Sequence, residues 1–399
     1  MLLESHCSGI LGEGTMKRST ERILVTHVGS LARPHDLMEM LIARNEGKTY
    51  DREALSTHTR NAVAEVVKKQ IECGVDIVND GELGKSNFSR YTRERLSGFV
   101  ERAARPDFKP TSIFGRDMIE FAGYFNRGGR TSIGHHGRVF YCVEPLKYIG
   151  LKEVQSDIDN LKAALQGKQV EEVFLPAVAP GTMEHWMKNE YYPSNEAYLF
   201  AIADAMHEEY KAIVDAGFIL QIDDPDLADA WQMFPQMSLA EYRKYQEMRI
   251  DALNQGLRDL PIDRVRFHMC WGSYHGPHKY DIPLKDIVDI ILRVRAGAYS
   301  IEASNPCHEH EWRVWEEVKL PDGKLLIPGV IGHYSDFIEH PQAIADRLVR
   351  YAKLVGRENV IAGTDCGIGS RVGHPQVGWA KFQAMAEGAR LATKQLWGR

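Results

Sequence analysis

The sequence predicts an α/β protein folded as a (β/α)8 TIM barrel, with an insertion between the second and third strands. Short apolar runs alternate along the chain with segments of helical periodicity, and eight such runs can be counted. The runs are apolar throughout, as parallel strands are when helices cover both faces of the sheet. Polar residues follow the runs, at the face of a barrel where active sites lie.

The eight predicted strands are short, and each is followed by a loop or a helical segment. In chain order they span residues 23–28, 75–79, 172–176, 219–223, 265–269, 299–303, 326–331 and 360–363. One helix is expected to begin after Ser194, whose hydroxyl can cap it, and to end at Gly217. Another is expected over residues 63–71, before Gly74.

The domain organisation is predicted to be simple. Residues 1–20 are expected to form a disordered N-terminal extension, with either Met1 or Met16 as the initiator. Residues 21–399 are expected to form a single TIM-barrel domain that carries the catalytic site. Residues from about 90 to 169 interrupt the alternation of strands and helices, and we interpret them as the insertion, with a second domain as the alternative.

Composition excludes several classes of partner. The net charge is −6 and the chain has no basic run, so nucleic acid is not expected to bind. It also lacks the roughly 18 consecutive apolar residues that a membrane helix needs. The six cysteines are scattered, which is typical of a reducing compartment. We therefore expect a cytoplasmic protein that acts on small molecules. The sequence leaves open whether the protein forms a homo-oligomer.

The motif His268-Met269-Cys270 carries the sharpest chemical signal. Both outer side chains point the same way, because one strand residue separates them. Imidazole and thiolate are good zinc ligands, and a tetrahedral site needs two more. Glu302, at the end of the sixth strand, and Cys366, after the eighth, can reach the same face. These four donors are predicted to bind one zinc ion, and simple packing of His268 and Cys270 is the alternative.

Other charged residues at the strand ends are candidates for substrate binding. Glu82 follows the second strand and Asp223 ends the fourth, and both are suited to a cationic group. Helix capping or pairing with an arginine is the alternative for these two acids. Arg371, in the loop after Cys366, can bind a substrate carboxylate or sulfonate, or form a surface salt bridge.

Several motifs resemble, in the same order, those of the cobalamin-independent methionine synthase family. They are Val28-Gly29-Ser30, Asp80-Gly81-Glu82, the QIDDP run at 221–225, His268-Met269-Cys270, Glu302 within YSIEAS, and Asp365-Cys366-Gly367. The resemblance covers about residues 20–390 and implies the catalytic C-terminal barrel of that family. It also implies a zinc-bound thiolate that attacks an alkyl carbon, because zinc lowers the pKa of a bound thiol.

The resemblance further implies roles for individual residues. Glu82 and Asp223 would hold the ammonium group of homocysteine during catalysis, and the Ser30 loop its carboxylate. Glu302 would be the more weakly held metal ligand. His333, after the seventh strand, would be the acid that protonates the leaving group. Trp186 would correspond to the tryptophan beside a methyl-folate donor.

Three further stretches resemble a divergent single-barrel branch of the same family. They are YYPS, GVIGHYSDFIEHP and GTDCGIGSR. That branch includes epoxyalkane:coenzyme M transferase, so an epoxide-opening thiol transferase is one alternative function. A non-catalytic zinc-binding barrel is a second alternative. A metal-free barrel of the uroporphyrinogen decarboxylase type is a third, although it would not need His268, Cys270 and Cys366.

Overall fold

Eight parallel strands form the central sheet of the computed structural model, which describes residues 14–105, 112–126, 138–369 and 371–398. Three further strands form a separate small sheet. The strands are β1 (Leu24–Val25), β2 (Ile77–Val78), β3 (Phe99–Ala103), β4 (Arg138–Cys142), β5 (Glu172–Val178), β6 (Met187–Asn189), β7 (Ile219–Asp223), β8 (Val265–Met269), β9 (Ala298–Ile301), β10 (Leu325–Ile331) and β11 (Ile361–Thr364).

The central sheet is rolled into a barrel. Its strands lie in the order β1-β11-β10-β9-β8-β7-β5-β2, and each neighbouring pair in this order is parallel. The first and last strands of this order also meet. The backbone N–H of Asp76 donates to the carbonyl of Val25 at 2.9 Å, and the Thr26 hydroxyl donates to the carbonyl of Ile77 at 3.0 Å. The predicted (β/α)8 TIM barrel is therefore confirmed.

All eight predicted strands are present, but the residues at which they begin and end match the prediction for only some of them. Strands β7 and β8 begin and end at the predicted residues. Strand β2 is shorter than predicted because a side chain takes the place of a neighbouring strand after Val78. The amide of Gln70 accepts from the backbone N–H of Asn79 at 3.0 Å and donates to its carbonyl at 2.8 Å.

Helices surround the barrel in the described part of the chain. They are α1 (His35–Asn45), α2 (Arg52–Glu72), α3 (Thr92–Arg95), α4 (Gly115–Glu120), α5 (Ala122–Phe125), α6 (Leu151–Ala164), α7 (Pro180–Trp186), α8 (Asn195–Asp215), α9 (Asp226–Met233), α10 (Leu239–Gly256), α11 (Val288–Ile291), α12 (Val314–Glu317), α13 (Pro341–Val355) and α14 (Pro375–Trp397). The predicted cap of α8 is confirmed, since the Ser194 hydroxyl accepts from the N–H of Ala197 at 3.0 Å. None of these helices has both the length and the apolar character needed to cross a bilayer.

A small three-stranded sheet lies beside the barrel, and two of its strands, β3 and β4, come from the chain between β2 and β5. Strand β3 pairs antiparallel with β4, and β4 pairs in parallel with β6, which follows β5 in the chain. The buried Arg95 ties this region to the helices, with ion pairs to Asp157 and, at 3.2 Å, to Glu209. Helix α6 lies in the same stretch and packs beside α2 and α8. The proposed bounds of the insertion, about 90–169, stay a prediction.

Residues 14–20, which were expected to belong to the disordered extension, pack against the base of the barrel. Met16 is buried in an apolar cluster with strand residues such as Leu24 and Ile77. The hydroxyl of Ser19 donates to the carbonyl of Val360 at 2.6 Å, and the N–H of Lys17 donates to Glu172 at 2.9 Å. The expectation of disorder therefore does not hold for these residues, because their polar groups find partners on the barrel. Residues 1–13 lie outside the described residues.

A buried ion pair attaches the last helix to the loop after β10. The ammonium group of Lys381, in α14, is fully buried and lies 2.9 and 3.0 Å from the two carboxylate oxygens of Glu339. Glu339 also accepts from the backbone N–H of Gly332 at 2.8 Å, directly after β10. Glu339 therefore holds both the start of this loop, at Gly332, and its end, next to Lys381 of α14.

We predict that Lys381→Met lowers the free energy of unfolding by about 3 kcal/mol, because it leaves the Glu339 carboxylate without its cation. The double variant Lys381→Met with Glu339→Gln should lose less, since no lone charge remains. Lys211→Met, which breaks an exposed pair with Asp215, is the matched control and should cost less than about 1 kcal/mol. Urea unfolding measures all three changes. Equal losses for the single and the double variant would contradict the prediction.

A second charged cluster joins the loops after β8 and β9. One oxygen of Asp281 contacts His278 at 2.7 Å and His308 at 3.0 Å, and His308 also contacts Glu311 at 3.0 Å. Burial alone would lower the pKa of His308, but the hydrogen bonds to the two carboxylates raise it to about 10. The ring of His308 stacks on Trp271, with the ring centroids 3.7 Å apart.

We predict that His308→Gln lowers the free energy of unfolding most at low pH. The pKa of His308 is higher in the folded chain than its ordinary value of 6.5, so its stabilising contribution is complete below that value. The contribution is lost as the pH rises through the folded-state pKa of about 10. The difference in stability between wild type and variant should therefore shrink between about pH 6 and pH 10 in urea unfolding. A difference that stays constant over this range would contradict the account.

Candidate metal centre

Two of the predicted metal ligands are placed by strand β8. Alternation along the strand directs His268 and Cys270 to the same side, and both side chains are buried at the carboxyl end of the barrel. His268 pairs in register with Asp223 on β7 and with Ser300 on β9. The imidazole is therefore held between two neighbouring strands, next to one of the predicted substrate-binding acids.

Cys366 joins these two residues from the other side of the ring. It follows β11, and its sulfur lies 3.5 Å from the sulfur of Cys270. One donor atom from each of His268, Cys270 and Cys366 lies within 4.8 Å of the other two. All five cysteines in the described residues are free thiols, so this sulfur pair is not a disulfide. The structure thus brings together three of the four predicted ligands.

The three donors fit a zinc ion on chemical and geometric grounds. Neither ring nitrogen of the buried His268 has a hydrogen-bond partner of normal geometry among the described residues. A buried imidazole without a partner is costly unless an ion binds it. Two thiolates about 2.3 Å from a tetrahedral zinc ion would lie about 3.8 Å apart, close to the observed separation. Two sulfurs and one imidazole are also a donor set that zinc prefers.

The sulfur pair carries an asymmetric charge. The thiol of Cys270 donates to Cys366, and this contact holds the pKa of Cys366 well below its ordinary value of 9.0, although burial opposes the shift. The rings of His268 and His333 act in the same direction. The pKa of Cys270 is raised correspondingly. Of the two thiols, Cys366 therefore loses its proton more readily.

Glu302, the fourth predicted ligand, lies beside the three donors. One of its oxygens accepts from the backbone N–H of Trp271 at 2.9 Å, and the other accepts from the side-chain amide of Asn305 at 2.9 Å. Its carboxylate forms a second group of donor atoms, with His333 and Asp365, within 4.8 Å of one another. Because Trp271 follows Cys270 directly, this second group adjoins the first.

Hydrogen bonds to Asp365 hold the loop that follows Glu302 next to the residue that precedes Cys366. One of its oxygens accepts from the N–H groups of Ala303 and Ser304 at 2.8 and 2.9 Å, and the other accepts from the Ser304 hydroxyl at 2.6 Å. These bonds join the loop after Glu302 to the residue before Cys366. The contact is close enough to require glycine on β10, because a side chain at Gly329 would come within 2.7 Å of the Asp365 Cα atom.

His333 occupies the position after β10 that was predicted for an acid. It is fully buried, and neither of its ring nitrogens has a hydrogen-bond partner among the described residues. Its neighbours in the second group are the carboxylates of Glu302 and Asp365. Burial and, after it, the charge of Glu302 raise the pKa of Asp365 to about 6, against the opposing effects of its hydrogen bonds to Ser304 and Ala303 and of His333.

The two predicted substrate-binding acids face the same cluster. Burial raises the pKa of Asp223 to about 7, with His268 opposing the shift and the charges of Glu82 and Cys366 adding to it. Burial likewise raises the pKa of Glu82, and Lys85 and Arg33 oppose the shift. Asp223 pairs in register with His268 on the neighbouring strand, and the charges of Cys366 and His268 act on Glu82 as well. Buried acids of this kind are frequent at functional sites.

The loops after β1, β2 and β11 come together around Ser30. The carbonyl of Ser30 accepts from the N–H of Gly369 at 3.0 Å, and the N–H of Leu31 donates to the carbonyl of Gly81 at 3.1 Å. Gly29 has a φ of +142°, and a side chain there would come within 3.0 Å of the Glu82 carboxylate. Ser30 therefore lies next to both Glu82 and the loop that carries Cys366.

A polar network inside the barrel orients Asp223. The amide of Gln221 donates to Asp223 at 2.7 Å and accepts from the guanidinium of Arg266 at 2.7 Å. Arg266 also donates to the carbonyl of His27 at 2.7 Å and lies 3.4 Å from the centre of the Phe174 ring. These contacts fix the guanidinium of Arg266, which donates to the amide oxygen of Gln221. The amide nitrogen of Gln221 is therefore directed toward Asp223.

Two further predicted residues, Trp186 and Arg371, follow β5 and β11 in the chain. Trp186 ends α7 and hydrogen bonds to Asp226. Arg371 is exposed in the loop after β11, and the exposed Cys307 lies after β9. The roles proposed for Trp186 and Arg371 stay predictions.

Two residues of the site were not singled out as functional from the sequence. The place of Asp365 directly before a predicted ligand was a signal that could have identified it. Asn305 follows Glu302 by three residues in a loop and offers no comparable pattern, since any amide in a loop can cap a turn.

Comparisons with known proteins show which family the chain is similar to. A sequence model described as the catalytic domain of cobalamin-independent synthase matches residues 156–390. A protein named methionine synthase from Thermococcus kodakarensis is 22% identical over 370 residues, which are 92% of this chain and 93% of that protein. One of the same name from Saccharolobus islandicus is 25% identical over 374 residues, which are 93% of this chain and 95% of that protein.

A solved structure shows the same fold. It is the B12-independent methionine synthase from Shewanella sp. W3-18-1 in complex with selenomethionine, which is 21% identical to this chain. The two superpose with a TM-score of 0.72, over 95% of this chain and all of the other. The family match extends over more than half of the chain and includes the strands that carry all four predicted metal ligands. The chain therefore belongs to the cobalamin-independent methionine synthase family, through the catalytic domain of that family.

Proposed function

We propose that the protein is a zinc-dependent thiol S-methyltransferase that acts on homocysteine or a closely similar thiol. The observation that carries the proposal is the convergence of Cys270, Cys366 and His268 within 4.8 Å at the mouth of the barrel. Membership of the family supports it, as do the names of the relatives. When bound at these donors, zinc supplies Lewis acidity that lowers the pKa of a coordinated thiol into the physiological range.

The protein's own residues would hold the metal and the amino acid part of the substrate. His268, Cys270 and Cys366 would provide three ligands, and Glu302 would provide a fourth that can be exchanged. Glu82 and Asp223 are buried beside these donors and would bind the ammonium group of the thiol substrate. A bound ammonium group would also stabilise both acids in their charged form, which burial otherwise disfavours.

The protonation step would fall to His333. Its buried ring has no hydrogen-bond partner among the described residues, so a nitrogen is available to hold a proton at the mouth. A ring nitrogen of His333 lies within 4.8 Å of a carboxylate oxygen of Glu302 and of one of Asp365. Donation of that proton to the leaving group of the alkyl donor would complete the transfer.

The leading proposal and the epoxide-opening alternative differ in the electrophile that the thiol attacks. A methyl donor such as a methyl-folate would give a methyl thioether, whereas an epoxide would be opened to a hydroxyalkyl thioether. Both reactions use the same sulfur nucleophile and the same proton donor. Assays of homocysteine and coenzyme M with a methyl-folate and with a short epoxide distinguish the two. Product from the methyl donor alone supports the proposal, and product from the epoxide alone contradicts it.

We predict that Cys366→Ser loses most of the bound zinc and all of the alkylation activity, because it removes one of the three converging ligands. Cys307→Ser is the matched control, since Cys307 is exposed and should leave the metal in place. Elemental analysis should find about one zinc per chain in the wild type and in the control. A wild-type chain without zinc would support the metal-free barrel instead.

We predict that Asp223→Asn raises KM for homocysteine roughly tenfold or more, because the ammonium group loses a charged partner. The matched substrate is 4-mercaptobutyrate, which keeps the thiol and the carboxylate but has no ammonium group. Its KM should change little in the same variant. Steady-state kinetics with both thiols makes the comparison. Equal effects on the two thiols would show that Asp223 does not bind the ammonium group.

A further inference from the structure

We propose that Asp80 is a positioning residue that holds Glu82 in a left-handed backbone conformation and so directs its carboxylate into the mouth of the barrel. The inference rests on the proposed function, because Glu82 is one of the two acids that would bind the ammonium group of the thiol substrate. The motifs of the sequence include Asp80 but assign it no role of its own.

The backbone of Glu82 is strained. Its φ is +57°, and it is one of three residues other than glycine with a positive φ in the described part of the chain. Side chains seldom occupy this region, because the Cβ atom comes too close to the following carbonyl oxygen. Gly81 before it has a φ of +67°, so the two residues form the centre of a turn in which glycine, asparagine and aspartate are the usual residues. Contacts with other residues must therefore hold a glutamate here.

Two side chains hold the backbone of Glu82 at its two polar groups. One carboxylate oxygen of Asp80 accepts from the N–H of Glu82 at 2.9 Å. The guanidinium of Arg33, in the loop after β1, donates to the carbonyl of Glu82 at 2.7 Å. That carbonyl also accepts from the N–H of Lys85 at 3.1 Å, so it keeps one donor if the other is removed. Asp80 and Glu82 are both buried, so water does not compete for the bond between them.

This conformation brings the Glu82 carboxylate to the loop after β1. A side chain at Gly29 would come within 3.0 Å of one carboxylate oxygen of Glu82. The next residue, Ser30, accepts from the N–H of Gly369 at 3.0 Å, in the loop that carries Cys366. The direction of a side chain changes with the φ of its own residue. Relaxation of Glu82 to a negative φ would therefore move its carboxylate away from these loops.

A second role for Asp80 would be electrostatic, since a carboxylate near Glu82 attracts an ammonium group. The two roles predict different results for Asp80→Asn. The amide oxygen of asparagine keeps an acceptor for the N–H of Glu82, and asparagine forms this contact with the residue two positions on as aspartate does. The charge is lost, however. Positioning therefore predicts that Asp80→Asn keeps its affinity for the substrate, and a role in attraction predicts that it does not.

The test is steady-state kinetics with homocysteine and with 4-mercaptobutyrate, which has no ammonium group. Asp80→Ala removes the acceptor and should raise KM for homocysteine about tenfold, with KM for 4-mercaptobutyrate and the zinc content unchanged. Asp80→Asn should keep both KM values within about twofold of the wild type. Asp80→Ser, whose hydroxyl makes the same contact more weakly, should raise KM for homocysteine about threefold.

The matched control is Asp51→Ala. Asp51 accepts from the N–H of Glu53 at 2.9 Å, which is the same kind of contact in an exposed turn at the start of α2. Its removal should leave both KM values unchanged. If Asp80→Ala does not fold, the comparison of Asp80→Ser with Asp80→Asn decides, and equal KM values for homocysteine in these two variants overturn the role of Asp80.

A double variant tests whether Asp80 acts through Glu82. Glu82→Gln alone should raise KM for homocysteine, and the addition of Asp80→Ala should raise it little further, because the side chain that is displaced no longer carries a charge. Equal increases for Asp80→Asn and Asp80→Ala, or equal increases for the two thiols, overturn the role of Asp80 while Glu82→Gln still weakens homocysteine binding. An unchanged KM for homocysteine in Glu82→Gln instead removes Glu82 from the proposed function, and this inference with it.

Discussion

The protein depends on keeping the buried His268 and Cys270 and the partly buried Cys366 within 4.8 Å of one another. Such a cluster is unfavourable by itself, because buried thiolates and unpaired ring nitrogens lose hydration without gaining partners. Barrel topology supplies the geometry, since β8 and β11 are separated in the ring by β9 and β10 but end at the same mouth. A cation at this point would convert an unfavourable arrangement into a stabilising one.

Acidic side chains are concentrated around the same point. Asp223, Asp365 and Asp80 all have a raised pKa, with burial as the largest cause. A fold selected for stability alone would avoid so many buried acids, since each must be hydrogen-bonded or paired. Here the acids are held by glycine turns, backbone N–H groups and the network of Arg266. They are therefore preorganised for a cationic group and a metal ion, and do not have to rearrange when these bind.

Much of this could be predicted from the sequence, because parallel barrel strands are continuous apolar runs and the polar residues that follow them share one face. The ends of β7 and β8 were predicted to the residue, and His268 and Cys270 are placed by strand alternation alone. Helix α8 was predicted from its cap, which is a local interaction. The order of the motifs predicted the family, which the match over residues 156–390 confirms.

Other features depend on contacts between distant parts of the chain. Strand β2 is short because Gln70, on the preceding helix, bonds the backbone where pairing would continue. Residues 14–20 were expected to be disordered, yet Met16 fills the base of the barrel beside residues from several strands. Glu302 accepts hydrogen bonds from Asn305 and from the backbone N–H of Trp271. No spacing in the sequence indicates such a contact.

Anomalous diffraction at the zinc edge, from crystals of the protein as purified, tests the central claim most directly. We expect one strong peak about 2.3 Å from the sulfur atoms of Cys270 and Cys366 and about 2.1 Å from a ring nitrogen of His268. A peak at another place in the chain, or sulfur atoms joined in a disulfide with no metal between them, would contradict the account.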